Sequence, residues 1–282
     1  MKSIMSVDVE DWFHILDVPS APPLEEWGEL PSRVDSNLAR LLDLFDERDV
    51  KVTCFFLGWV AEHHKAAVLD AAGRGHEIAS HGYSHRLVYE MDPADFLQDA
   101  IRSKKLLEDI AGRPVWGYRS AGFSTTLETP WFFDKLMEAG YKYDSSVFPA
   151  PRQHGGLKTD RYGPYPVDGS SGTLTEFPIS VSRVFGRPLC FFGGGYLRLF
   201  PYPIIRRMAA GVLREGRPVI FYVHPREIDP DHPRLKMSIS RRFKSYVNLA
   251  TTEGKIRRIA RDFQLGTFAA YLMEDSKALE AE

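Results

Sequence analysis

Seven short apolar runs set the terms on which this chain can fold. They fall at residues 2–9, 50–57, 76–80, 114–118, 142–147, 174–180 and 218–223, each of strand length, with 50–57 the most β-branched and aromatic. The stretches between them change period. Leu38, Leu41, Leu42 and Phe45 repeat at 3.6-residue spacing within 35–48, behind a cap at Asp35 or Ser36. Further helices are predicted over 59–73, over 92–110 with Asp92 as N-cap and Pro93 in the first turn, over 129–140, and over 203–215. Strands that alternate with helices make a parallel sheet wrapped by helices, and about seven strands favour closure into a barrel over an open sheet. Residues 149–200 are loop-rich and read as a decorated insertion, and 235–282 as basic and helical around 253–263. The expected division is therefore a barrel over 1–232 and a basic helical extension over 233–282 packed on it. A chain of 282 residues can bury about three quarters of its unfolded surface, so it needs no metal for stability. A metal site here would be functional first.

The bulk charge excludes more than it suggests. A formal charge of −2 gives no global attraction for nucleic acid or an anionic bilayer, so any polyanionic partner would need a local basic patch. Cys54 and Cys190 lie in apolar runs without CxxC spacing, which predicts two buried thiols. The start MKSIMSVDVEDWF reaches three acids without an apolar stretch, and no run of 18 apolar residues follows anywhere. Neither a secretory leader nor a membrane span is expected, and a cytoplasmic location follows from that expectation.

In a parallel α/β barrel the strand C-termini share one mouth, so polar residues there meet despite wide separation in sequence. Four strand ends carry such residues: Asp8-Val9-Glu10-Asp11, His81-Gly82-Tyr83-Ser84-His85, Tyr118-Arg119-Ser120 and Val223-His224-Pro225. The HxxxH spacing of His81 and His85 suits two nitrogen ligands if the turn is helical. Asp8 and Glu10 point to one side while strand geometry lasts, and two carboxylates there repel unless a cation or arginine relieves them. Two histidines and one carboxylate would leave positions open for water and substrate. Surface histidines and a solvated strand end are the plainer readings of each motif taken alone.

The ordered set SVDVED, SHGYSH, GYRSAGFS and FYVHP resembles the motifs of the polysaccharide deacetylase family, the NodB-homology domain or carbohydrate esterase family 4, over residues 1 to about 225. The D-x-E-D-W start, GGGYLR at 193–198 and the HPRE ending resemble its branch associated with exopolysaccharide synthesis and exosortase systems. The resemblance implies a distorted (β/α) barrel with about seven parallel strands and a metal-dependent hydrolase that removes N-acetyl groups from a sugar. By position it implies Asp8 as general base, Arg119 as the residue that positions it, His224 as general acid, and His81 and His85 as metal ligands. Glu10 is the implied third ligand and Asp11 its competitor. Zinc is the implied ion, with cobalt, manganese or nickel as alternatives. Arg119-Ser120-Ala121-Gly122-Phe123 departs from the Arg-x-Pro-Tyr of many members, so the resemblance does not place the oxyanion donor. It further implies a saccharide substrate, either an N-acetylated polymer or a lipid-linked precursor. Two other classes stay open: a non-catalytic saccharide-binding barrel, and a hydrolase of a non-sugar amide.

The remaining features are weaker. A carboxylate near His224 would raise its pKa, and Asp144 is a candidate for that role or a solvated turn acid. Trp12, Tyr83, Phe123 and Tyr196 flank the motifs and could stack on sugar rings or pack in the core. Glycines 193–195 would form a tight substrate-facing loop, and lacking a following lysine they are no phosphate loop. His14, His63, His64, His154 and His232 read as surface or capping residues. Arg241, Arg242, Lys244, Lys255, Arg257, Arg258 and Arg261 read as solvated helix faces, or as a patch for an anionic polymer or a peripheral membrane contact.

Overall fold

A computed structural model describes residues 3–150, 155–157 and 159–279. Its strands are β1 Ser3–Val9, β2 Thr53–Phe56, β3 Glu77–Ser80, β4 Gly117–Tyr118, β5 Tyr143–Asp144, β6 Tyr165–Gly169, β7 Gly172–Glu176, β8 Ser182–Val184, β9 Arg187–Leu189, β10 Ile220–Val223 and β11 Leu265–Gly266. The helices are α1 Val34–Asp46, α2 Gly58–His63, α3 Lys65–Gly73, α4 Pro93–Ala111, α5 Phe132–Glu138, α6 Gly194–Leu199, α7 Tyr202–Arg214, α8 Ile239–Tyr246, α9 Leu249–Asp262 and α10 Phe268–Leu279.

The main sheet runs β10-β1-β2-β3-β4-β5-β7-β6, and the seven strands from β10 to β7 are mutually parallel. This is the expected α/β architecture, a parallel sheet curled into a half-barrel. Every residue of β1 is buried, as a parallel strand covered on both faces requires. Alternation then sorts the side chains: Met5, Val7 and Val9 join the outer core with Leu38, Leu41, Leu42 and Phe45 of α1, while Ile4 turns inward to Phe55, Tyr143 and Tyr222. Asp8 has the inward parity.

No ladder joins β10 to β7. The Ser180 hydroxyl accepts the Ile220 amide at 2.9 Å and donates to the Pro218 carbonyl, and the Tyr222 amide donates to the Phe192 carbonyl at 3.1 Å. An irregular segment thus fills the seam. The base is plugged by Phe268, whose ring lies 5.2 Å from that of Tyr143 and 5.6 Å from that of Phe55.

Several local expectations are corrected. The 59–73 helix breaks into α2 and α3 at His64, which leaves helical geometry at φ −127°. Neither Asp35 nor Ser36 caps α1; Asp11 does so from the far side of the preceding loop. The runs at 114–118 and 142–147 pair over two residues each, because side chains such as Ser146, which accepts the Ser120 amide, take over the bonding beyond. The loop-rich insertion contains a hairpin, β6–β7, turned by a Gly-Ser-Ser-Gly segment whose Gly172 sits at φ +134°. Glycines 193–195 open the short helix α6 rather than a loop.

Lys255 is not on a solvated face. It is buried, and its ammonium donates to the carbonyls of Leu197, Arg198 and Phe200 at 3.0, 2.6 and 2.9 Å, closing the C-terminus of α6. Replacing Lys255 with Met should orphan these carbonyls and lower unfolding free energy by about 2–3 kcal/mol, read from urea denaturation. An unchanged midpoint would mean that the carbonyls find other donors. Arg257 does lie exposed, paired with Glu47 and Glu253.

Candidate active site

The acids that follow β1 separate by role. Asp11 spends both oxygens on backbone: Oδ1 accepts the Trp12 amide, and Oδ2 accepts the amides of Arg33 and Val34 and the Ser32 hydroxyl. Asp8 keeps the inward side. Its Oδ1 receives Nη1 of the fully buried Arg119 at 2.6 Å. That guanidinium is fixed on every side, donating also to Ser6 Oγ at 2.8 Å and to the carbonyl and hydroxyl of Ser145, with its plane over the Phe55 ring.

Glu10 lies between two imidazoles, its Oε1 being 3.1 Å from Nε2 of His81 and 3.1 Å from Nε2 of His85. The histidines do not share a helical face. Residues 81–85 form an irregular turn with Gly82 at φ +73° and His85 at φ +56°, and this left-handed backbone folds the second ring back on the first. Strain of this sort gathers at sites that use it. The three donor atoms lie within 4.8 Å of one another and all three residues are buried.

The donor set fits a divalent cation. His81 Nδ1 stands 2.7 Å from the Arg119 carbonyl, and a carbonyl can only accept, so Nδ1 carries a proton, and in the neutral ring the Nε2 lone pair then faces Glu10. Two acceptors at that distance repel unless positive charge lies between them. His85 Nε2 is buried without a directed hydrogen-bond partner, so in the Nδ1–H tautomer it offers a lone pair to a common cation. Burial works to raise the Glu10 carboxyl, yet the charges of His85 and His224 and the contact with His81 hold it well below the usual range.

His224 enters from the end of β10. Its Nε2 lies 3.9 Å from Asp8 Oδ2 and 3.7 Å from Glu10 Oε1, and its Nδ1 lies 3.4 Å from Glu227 Oε2. Glu227 also accepts the His224 amide at 3.0 Å and pairs with buried Arg198. Burial pushes the imidazole down, but Glu10 and Glu227 more than reverse this and its pKa is raised. Arg198 and His224 hold Glu227 down to about 2 against its burial. The carboxylate behind His224 is therefore Glu227, a residue the sequence reading missed, and not Asp144.

Asp144 is neither beside His224 nor solvated. It is fully buried, accepts from the Ser146 amide and hydroxyl, and pairs across the ladder with Glu176. Burial and the Asp144 charge push the Glu176 carboxyl well above the usual range, and burial pushes Asp144 up to about 6, so the pair holds a proton above the pH at which a free carboxyl loses it. A carboxyl whose folded pKa is raised contributes stability that is full below its unfolded value, about 4.3, and is lost as pH rises through the folded value. Glu176→Gln should therefore keep the fold and flatten the fall in melting temperature from about pH 5 to 8 relative to the parent chain. A parallel fall in both proteins would place the proton elsewhere.

Asp8, Glu10, His81, His85 and His224 all line one cavity of about 510 Å³. Arg119 lies behind Asp8. Phe123 and Tyr196 line the cavity too, whereas Trp12 and Tyr83 do not. Trp12 packs edge-on to Phe13 and donates to the Pro31 carbonyl, and Tyr83 bonds Glu62 under the Arg102 guanidinium. His14, read as a surface residue, is buried in the cavity wall: Nδ1 accepts the Asp11 amide, and the ring lies 6.2 Å from that of His85. His232 is buried as well, against the Pro233 carbonyl. His63 stacks on Trp59 and His64 pairs with Asp35, while His154 lies outside the described residues. Cys54 and Cys190 are both buried, as expected.

Comparison with known proteins finds two family matches and several relatives. Residues 29–143 match the family Polysaccharide deacetylase, and residues 145–273 match a domain of unknown function, DUF3473. A peptidoglycan deacetylase of Helicobacter pylori is 28% identical over 110 residues, covering 39% of this chain and 36% of that protein. A peptidoglycan-N-acetylglucosamine deacetylase of Bacillus cereus is 31% identical over 84 residues, covering 28% of this chain and 30% of that one. The chain thus spans about a third of the length of these curated relatives. A solved chain from Mycobacterium smegmatis, named provisionally as a polysaccharide deacetylase, superposes with a TM-score of 0.64 at 20% identity, covering 99% of this chain and 92% of its own. Among the described residues no helix is long and apolar enough to cross a membrane.

Proposed function

This chain carries a polysaccharide deacetylase domain of the NodB-homology, carbohydrate esterase 4 type, and from that premise we propose that it hydrolyses N-acetyl groups from an amino-sugar-containing saccharide with a divalent cation held by Glu10, His81 and His85. One observation carries the reading. In a single cavity, a buried two-histidine, one-carboxylate set lies beside a buried carboxylate locked by arginine and an imidazole backed by a second carboxylate.

A divalent ion supplies Lewis acidity: it polarises an amide carbonyl and makes water acidic near neutral pH. The protein supplies the proton traffic. Arg119 occupies Asp8 Oδ1 and fixes the carboxylate, so Oδ2 faces the cavity as general base for the attacking water. Amide hydrolysis also needs a proton on the departing nitrogen. His224, with Nε2 towards Asp8 and Nδ1 against Glu227, is placed to donate it as imidazolium. The Phe123 amide is engaged by the Ser120 carbonyl at 3.1 Å, so we assign no oxyanion role to it.

Zinc is the first ion to test, because two imidazoles and a carboxylate suit it. The match of 145–273 to DUF3473 and the GGGYLR and HPRE segments support a role in exopolysaccharide biosynthesis. The test is acetate release from N-acetylglucosamine oligomers by zinc-reconstituted protein. Release that chelation abolishes supports the proposal; a folded, zinc-loaded chain that releases none from any N-acetylated saccharide overturns it.

A further inference from the structure

The charges around the cavity do not balance. Of its carboxylates, Asp8 is matched by Arg119, Glu227 by Arg198, and Glu10 by the imidazoles or the cation they hold. Arg226, Arg241 and Lys244 also line the cavity. Among the described residues no carboxylate stands within 4.0 Å of the Arg226 or Lys244 side-chain nitrogens in an ion pair, although 26% of the chain is charged. Arg226 goes further: its Nε and Nη1 are buried and make no hydrogen bond. Buried guanidinium donors are almost always satisfied, and an unsatisfied pair on a residue that lines the cavity leaves that side chain with unused capacity for an acceptor. Tyr196 and Phe243 line the same cavity, and aromatic side chains suit the apolar face of a sugar.

These positive charges are placed by local structure. Arg226 is held between His224 and Glu227 in the 3-10 turn 225–228, so its position is tied to the site by two residues. Lys244 comes from α8, whose Lys244 carbonyl accepts from the Arg198 guanidinium at 2.8 Å and whose Arg241 guanidinium donates to the Leu16 carbonyl. The net charge of −2 hides the patch because acids elsewhere cancel it.

We propose that Arg226 and Lys244 form an anion subsite beside the candidate catalytic centre, which selects saccharides bearing a carboxylate or a phosphate next to the N-acetylated sugar. The subsite rests on the deacetylase reading for its substrate but not for its chemistry, since a guanidinium fork and an ammonium recognise either anion. The whole zinc-reconstituted chain is to be titrated calorimetrically with two pairs of probes, each repeated at raised salt: an alternating N-acetylglucosamine–glucuronate tetrasaccharide against tetra-N-acetylchitotetraose, and N-acetylglucosamine 1-phosphate against N-acetylglucosamine. At least one anionic probe should bind about tenfold or more tightly than its neutral partner, with the gap narrowing as salt screens it. Which pair shows the gap identifies carboxylate or phosphate.

Arg226→Gln should reduce that gap to within about twofold, and Lys244→Glu, an exposed change that leaves the fold alone, should narrow or invert it. Equal affinity for charged and neutral probes, or a gap that survives both substitutions, overturns the subsite. Acetate release is measured on the same samples. A gap without release leaves the subsite standing and removes the deacetylase reading, and release without a gap does the reverse.

Discussion

Asp8→Asn is expected to lower the rate of acetate release by about 10³-fold, within the 10²–10⁴ that a positioned proton acceptor contributes. The asparagine oxygen still accepts from Arg119 Nη1, now 2.6 Å from Asp8 Oδ1, and the side chain keeps its size. What it loses is the ability to take a proton. Leaving Arg119 without its counter-charge is the competing effect, because breaking one partner of a buried pair costs about 3–5 kcal/mol. The two are separable: a stability defect reduces the folded fraction, whereas loss of the base reduces turnover per folded, metal-loaded chain. Glu10, His81 and His85 are untouched, so metal content should stay at the parent value. A variant that turns over within a few-fold of the parent would remove Asp8 from the mechanism.

His81→Ala and His85→Ala are expected to weaken zinc binding by more than the 10–100-fold that loss of an outer partner costs, measured by competition with a chromophoric chelator. Each removes one of three donors that lie within 4.8 Å of one another. His81 has a second consequence, since its Nδ1 bond to the Arg119 carbonyl ties the proposed ligand to the segment that holds Asp8's partner. His81→Ala should thus affect turnover at saturating zinc more than His85→Ala does. Full zinc stoichiometry in both variants would place the ion elsewhere.

Strand-end chemistry was legible because it depends on local pattern. A short apolar run with an acid or histidine at its end predicts a residue at the mouth wherever the sheet curls, and Asp8, Glu10, His81, His85, Arg119 and His224 lie together for that reason. What escaped depended on partners distant in sequence. Nothing near Asp11 says that its carboxylate caps a helix beginning at Val34. His14 follows Glu10 by four residues in an irregular segment, with no period to set its direction. Asp144 and Glu176 become a proton-sharing pair only once β5 and β7 lie in register. Lys255 reads as one basic residue among several until α6 is seen to end against it. Glu227 is the exception, since its place three residues after His224 in a Pro-containing turn carried a capping signal that could have been read.

The most direct test strips the chain of metal and returns zinc in measured steps, following acetate release from tetra-N-acetylchitotetraose or its glucuronate-containing counterpart alongside bound zinc. If Glu10, His81 and His85 hold the ion on which hydrolysis depends, release starts near zero, rises in proportion to occupancy and saturates at one ion per chain. Release from the stripped chain, or one tightly bound zinc per folded chain with no release from either substrate, would contradict the account.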